Sequence, residues 1–272
     1  MRIGGPLKSS IRTIGVALLL ATLLSASCSP APTPTPVPAP TATRAMEATV
    51  TPAATLQPLL SEEDRQTIQS AFAAMLVNPV KAVVFTAESG CDYCPTARQL
   101  VQELGSLSAR ISAEPYDLNH DSSLAAQYDV DKTPAIAIAG ERDYGIRFYG
   151  LPYGREFSPL LQAIIIVSQG QSGLSAESID ALASLRTPLH IEVLVTPVCP
   201  YCPSVVSLAH KMALQSEYIR ADAVESPEFP QLAEKYSVEV VPAIVINEKL
   251  VRTGQVDEAE FLQLVIAAAE NQ

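Results

Sequence analysis

The chain has 272 residues, 48% of them apolar, with 29 acids against 18 bases and a formal net charge of −11. That length and apolar content suit one large or two small cores and exclude global disorder. An acidic surface repels phosphate backbones and gains nothing from counterion release, so nucleic acid is not expected as a partner.

The first 27 residues read as a targeting signal. Arg2, Lys8 and Arg12 form a positive head without acids, and "IGVALLLATLL" is an apolar run too short to span a bilayer comfortably. The run ends in "LLSASCSP", small residues followed by Cys28, which resembles the lipobox of bacterial lipoproteins. In that pattern, cleavage leaves the cysteine as a lipid-modified N-terminus. Ser25 stands where leucine is usual, with Leu24 one residue early. The alternative is an ordinary secretory signal with an incidental cysteine. Either reading puts the mature protein outside the cytoplasm, lipid-anchored at the cell membrane or secreted. Residues 28–60 are rich in Pro, Ala and Thr; they cannot bury a core and favour extended polyproline II, as in a semi-rigid stalk.

From Ser61 the elements follow one another closely. "SEEDRQTIQSAFAAML" opens with a capping serine and acids, the signature of a helix start. An apolar strand, "AVVFTA", leads to Cys91-Asp92-Tyr93-Cys94 and a helix to about Leu104. A strand over roughly 112–117 and a short helix ending at Tyr128 come next. Pro134 then opens the strand "AIAIA", followed by "GIRFYG" and a closing helix, "EFSPLLQAIIIVS". From Ser175 the same order returns, with Cys199-Pro200-Tyr201-Cys202 in place of the first cysteine pair. A shift of 108 residues superimposes Cys91 on Cys199, Tyr128 on Tyr236 and Pro134 on Pro242. Two independent motifs would not keep that register, so residues 61–170 and 171–272 are expected to be duplicated α/β domains.

The residue pattern, CxxC between strand and helix and a proline opening the third strand, resembles the thioredoxin fold. Two such units, the second carrying "CPYC", are similar to the protein disulfide oxidoreductase (glutaredoxin-like) family. The resemblance covers roughly residues 60–272 and implies two tandem thioredoxin-like domains, each a mixed central sheet flanked by helices. It departs from thioredoxin in having no Trp and no "CGPC", and from the family in its leader and stalk. It also implies that Pro134 and Pro242 are cis and that Thr133 and Val241, beside the cysteines, face the substrate.

The chemistry follows from the cysteines. Thiol–disulfide exchange needs one attacking thiolate and a second thiol near enough to resolve the mixed disulfide. Cysteines three apart at a helix start share a face, and the unpaired N–H groups there favour the thiolate. Cys91 has Glu88 and Asp92 beside it, whereas Cys199 has an uncharged approach and Pro200 after it. Cys199 and Cys202 are therefore expected to do most of the work, with Cys91 and Cys94 as a slower site or relay. Glu192, seven residues before Cys199, aligns with Val84 in a buried strand. A lone carboxylate there is poorly solvated, and the thioredoxin resemblance implies that it is a buried proton acceptor for the resolving thiol; the alternative is that strand curvature turns it to solvent.

Tyr93 and Tyr201 read as packing or substrate contact. No cofactor beyond the two redox-active disulfides is expected, since no nucleotide-binding motif occurs. Electrons would come from or go to an external partner protein or small thiols, and the substrates would be protein thiols and disulfides. The rival class is a thiol-based module that holds a metal or partner without turnover. Zinc ribbons, however, separate their cysteine pairs by about 15–20 residues, and His120, His190 and His210 show no ligand spacing. No metal is expected.

Overall fold

A computed structural model describes residues 57–271; the leader, Cys28 and most of the stalk lie outside the described residues. Each half starts with a capped helix. In α1 (Glu62–Met75) the Ser61 hydroxyl accepts the Asp64 N–H at 3.1 Å. In α5 (Ala176–Ala183) Ser175 accepts from Ser178 at 3.2 Å. These bonds satisfy N–H groups that the helix cannot, and the acids of each first turn suit its positive end.

The first half continues as β1 (Val80–Thr86), α2 (Cys94–Ser106), β2 (Ile111–Asp117), α3 (Ser122–Gln127), β3 (Ala135–Ala139), β4 (Asp143–Tyr149) and α4 (Phe157–Gln169). The second continues as β5 (Leu189–Val195), α6 (Cys202–Gln215), β6 (Ile219–Glu225), α7 (Pro230–Lys235), β7 (Ala243–Ile246), β8 (Lys249–Thr253) and α8 (Glu258–Glu270).

The two halves do not keep separate sheets. One eight-stranded sheet runs in the order β2-β1-β3-β4-β6-β5-β7-β8. Its joint is a parallel pairing of β4 with β6, from Ile146 opposite Ala221 to Tyr149 opposite Val224. Each strand would otherwise be a bare edge with unpaired backbone groups, so the pairing satisfies both at once. Parallel pairings of β1 with β2 and of β5 with β6, and antiparallel steps through β3, leave β1, β4, β6 and β5 pointing one way.

Pairing registers also correct the repeat alignment. Val80 of β1 faces Ile111 of β2, and Leu189 of β5 faces Ile219 of β6. The first strands thus align one residue beyond the 108-residue shift, because the loop before Cys91 is one residue longer. The structural counterpart of Glu192 is Val83, not Val84.

One sheet face carries the larger core, in which Ala82, Val84, Ile191 and Val193 meet buried residues of α2, α4 and α6. The opposite face carries a smaller core with Val83, Phe85, Leu194 and Val224, partly roofed by α3 and α7. Across the joint, the Phe148 ring of β4 packs edge-on against His210 of α6 at 4.7 Å, and both are buried. Burial holds the His210 pKa down at about 4, so the ring is neutral. Among the described residues no helix is long and apolar enough to cross a membrane.

A shared sheet and core should unfold together. Urea denaturation is expected to give one transition by far-UV and tyrosine signals alike. Phe148→Ala should lower the unfolding free energy by about 3–5 kcal/mol, the usual cost of emptying a buried aromatic site. Two separated transitions in the wild type would contradict the joint.

Candidate active site: two dithiols on one sheet edge

Both cysteine pairs are closed as disulfides, with Cα atoms 5.4 Å apart for Cys91–Cys94 and 5.6 Å for Cys199–Cys202. Cys94 and Cys202 are the first residues of α2 and α6, with Pro95 and Pro203 in the first turn, where a missing N–H costs little. Because β1 and β5 point the same way and both helices lie over the larger core, the two sites share one edge and one face of the sheet. Four strand spacings separate β1 from β5, roughly 20 Å.

The bonds Thr133–Pro134 and Val241–Pro242 are both cis. Val241 lies at the second dithiol, its carbonyl oxygen 3.9 Å from the Cys199 sulfur. Around the sulfurs the two sites differ. The Cys202 N–H donates to the Cys199 sulfur at 3.1 Å, whereas at the first site the Ala87 N–H reaches the inner sulfur, Cys94, at 3.3 Å. Cys202, Cys199 and Cys94 are buried and Cys91 is part-exposed; Glu88 and Asp92 beside it are exposed.

Glu192 is not brought to either dithiol. It is buried, and its carboxylate accepts the Tyr236 hydroxyl at 2.7 Å. Strand alternation puts it on the face of Leu194 and the smaller core, while Ile191, Val193, Cys199 and Cys202 belong to the larger one. The histidines are dispersed as well. His120 is exposed beside Asp117, His190 bonds Asp222 at 2.6 Å, and His210 lies in the joint. Among the described residues no group of three or more His, Cys, Asp or Glu is placed to hold a metal ion.

Sequence reasoning missed a different set of acids. Glu156, in a 3-10 turn (Gly154–Glu156) before α4, and Glu225, ending β6, are both buried, and none of their carboxyl oxygens makes a hydrogen bond. They line one closed niche with Phe148, Pro152, Val195 and Ala223, on the face that carries Cys199 and Cys202. Burial pushes the Glu156 carboxyl up to about 8. Burial, then the neighbouring Glu156 and Glu228, pushes Glu225 up to about 9. Glu228 is also raised by burial, although one of its oxygens accepts the Leu151 N–H at 2.8 Å.

The niche is built by the segment after β4. At Gly154 (φ +59°) an added Cβ would lie 2.6 Å from the Pro197 carbonyl oxygen, which also accepts the Arg155 N–H at 2.9 Å. The first half thus contributes Glu156 to a niche that adjoins the loop before the second dithiol. At the first site the counterpart of Glu225 is Asp117, held below the usual carboxylate range by the His120 and Asn119 N–H groups. A carboxyl still protonated at neutral pH is able to hold or hand over a proton, and the two in that state line a niche with Val195, the last residue of the strand that leads to the second pair.

These features define a thioredoxin-fold thiol–disulfide oxidoreductase with two CxxC centres. Residues 189–267 match a family model described as a thioredoxin domain. A protein disulfide oxidoreductase from Aeropyrum pernix K1 superposes with a TM-score of 0.74 at 35% identity, over 78% of this chain and 94% of that one. The chain belongs to the protein disulfide oxidoreductase family. The N-terminal domain of the alkyl hydroperoxide reductase AhpF from Enterococcus faecalis shares the fold, with a TM-score of 0.70 at 24% identity over 75% of this chain and 99% of that one. An NADH dehydrogenase of Bacillus subtilis is 27% identical over 165 residues, 60% of this chain but 30% of that protein. The chain therefore spans about a third of the length of the curated relatives it matches.

The buried acids set a pH dependence of stability. Glu156 and Glu225 titrate near 4.5 when unfolded and at about 8 and 9 when folded. Below the unfolded value their contribution is fully present; it is lost as pH rises through the folded values. The melting temperature should fall between pH 5 and pH 9. Glu225→Gln should flatten that slope and stabilise the fold at pH 9 by on the order of 2 kcal/mol. Calorimetry across that range checks both.

Proposed function

We propose that the protein exchanges disulfides with other proteins outside the cytoplasm, held at the membrane by a lipid on Cys28, and that its second dithiol carries most of the turnover. The observation that carries the second claim is the set of groups around each attacking sulfur. Cys199 takes an N–H from the start of α6 at 3.1 Å, and no acid lies within three residues of it in the chain. Among the described residues none donates to the Cys91 sulfur, which has Glu88 and Asp92 beside it. A donated N–H stabilises the thiolate, and nearby carboxylates oppose it.

In the reducing direction the Cys199 thiolate attacks a substrate disulfide, forming a mixed disulfide and releasing one substrate thiolate. Cys202 then attacks the Cys199 sulfur, closing the Cys199–Cys202 disulfide and releasing the second substrate thiolate. Two electrons pass to the substrate, and the reverse sequence oxidises a dithiol. Thr133 and Val241, before the cis prolines, offer their backbone to the substrate chain. A separate dithiol protein or small thiols reload the site, and no cofactor or nucleic acid takes part. The positive head, the apolar run and the Pro-rich stalk support secretion and anchoring.

Two experiments test this reading. In an insulin-reduction assay, Cys199→Ser should lower turnover by about a hundredfold or more and Cys91→Ser by less than about fivefold; equal losses would reject the dominance of the second site. Cys28→Ala should move the protein from the membrane to the soluble fraction with unchanged specific activity. A wild type already soluble would leave secretion and remove the anchor.

A further inference from the structure

We propose that the two dithiols share a single substrate-binding strip centred on Tyr153, which takes an extended, unfolded polypeptide segment bearing apolar or aromatic side chains. The proposal rests on the oxidoreductase reading above and names its substrate's form. Five of the nine large apolar or aromatic side chains exposed among the described residues are Tyr93, Tyr153, Val198, Tyr201 and Val240. Exposed apolar side chains gathered in one patch mark an interaction surface, and all five lie on the CxxC edge. Val198 is 81% exposed immediately before Cys199, and Tyr153 is 46% exposed.

Strand order sets the layout. Along that edge the chain ends follow as the first CxxC after β1, Thr133 before β3, Tyr153 after β4, the second CxxC after β5 and Val241 before β7. Tyr153 thus stands between the sites. On one side, toward the first CxxC, lies the exposed Tyr93, two strands away along the sheet. On the other, Gly154 and Arg155 are stitched to Pro197, two residues before Cys199. The backbone that carries the ring is thus anchored on both sides, by the Tyr153 N–H on the Leu151 oxygen and the Arg155 N–H on the Pro197 oxygen. Neither the Thr133 nor the Val241 N–H is bonded among the described residues, so each cis-proline loop is open to pair with an extended chain. At about 3.3 Å per residue, roughly six extended residues bridge the ~20 Å between the dithiols. A folded partner meets one site; an unfolded one spans both.

The test uses the full-length oxidised protein and neutral, cysteine-free peptides containing Phe and Tyr, from three to twelve residues, with affinity read by fluorescence anisotropy. Affinity should rise through about six residues and then level. Tyr153→Ser should weaken the long peptides about tenfold and raise KM for insulin similarly, with kcat and hydroxyethyl disulfide turnover unchanged, while Tyr153→Phe keeps wild-type values. Affinity flat with length, Tyr153→Ser within twofold of wild type, or Tyr153→Ser losing small-disulfide turnover would each overturn the strip. Wild type without turnover on insulin and hydroxyethyl disulfide would overturn the oxidoreductase reading instead, and peptide binding, which needs no redox chemistry, would still decide the strip.

Discussion

The structure depends on the parallel pairing of β4 with β6. An antiparallel joint would send the two halves in opposite directions and put their cysteines at opposite ends of the sheet. The parallel joint points β1 and β5 the same way, so both helix starts, both cis prolines and the chain segment between the halves reach one edge. It also brings the turn after β4 against Pro197, two residues before Cys199, and puts Glu156 from the first half in one niche with Glu225 and Val195 of the second.

Duplication therefore does not give the two pairs the same surroundings. The first pair lies among exposed carboxylates, with a part-exposed outer sulfur and an ordinary charged acid, Asp117, at the position of Glu225. The second has a buried pair, an N–H aimed at its outer sulfur and two carboxyls kept protonated by burial. Charged carboxylates oppose a neighbouring thiolate, whereas neutral ones do so far less. Glu156 and Glu225 thus carry little charge at neutral pH, and Glu156 begins to gain it only as pH approaches 8.

Much of this was legible in the chain. Apolar runs punctuated by Ser caps, CxxC and Pro placed every helix and strand, because each element's signal is local and appears twice. The joint was not legible, since β4 and β6 pair through backbone groups that every sequence carries. Nor was the niche: Glu156 and Glu225 look like surface acids until the fold closes over them. Glu192 shows the opposite error. A gapless alignment pairs it with Val84, yet a one-residue difference in the loops before the cysteines shifts the strand register. In a strand one residue is a change of face, so the carboxyl meets neither expectation: it is not turned to solvent, and it sits against Tyr236 on the sheet face opposite the cysteines.

The central claim is that the two outer cysteines differ in thiolate stability because of what surrounds them. Its most direct measurement is the pH dependence of iodoacetamide labelling of the reduced protein, resolved by mass spectrometry into Cys91 and Cys199. The account predicts that Cys199 titrates at least about one pH unit below Cys91 and is labelled first as pH rises. Coincident titrations, or Cys91 labelled first, would contradict it.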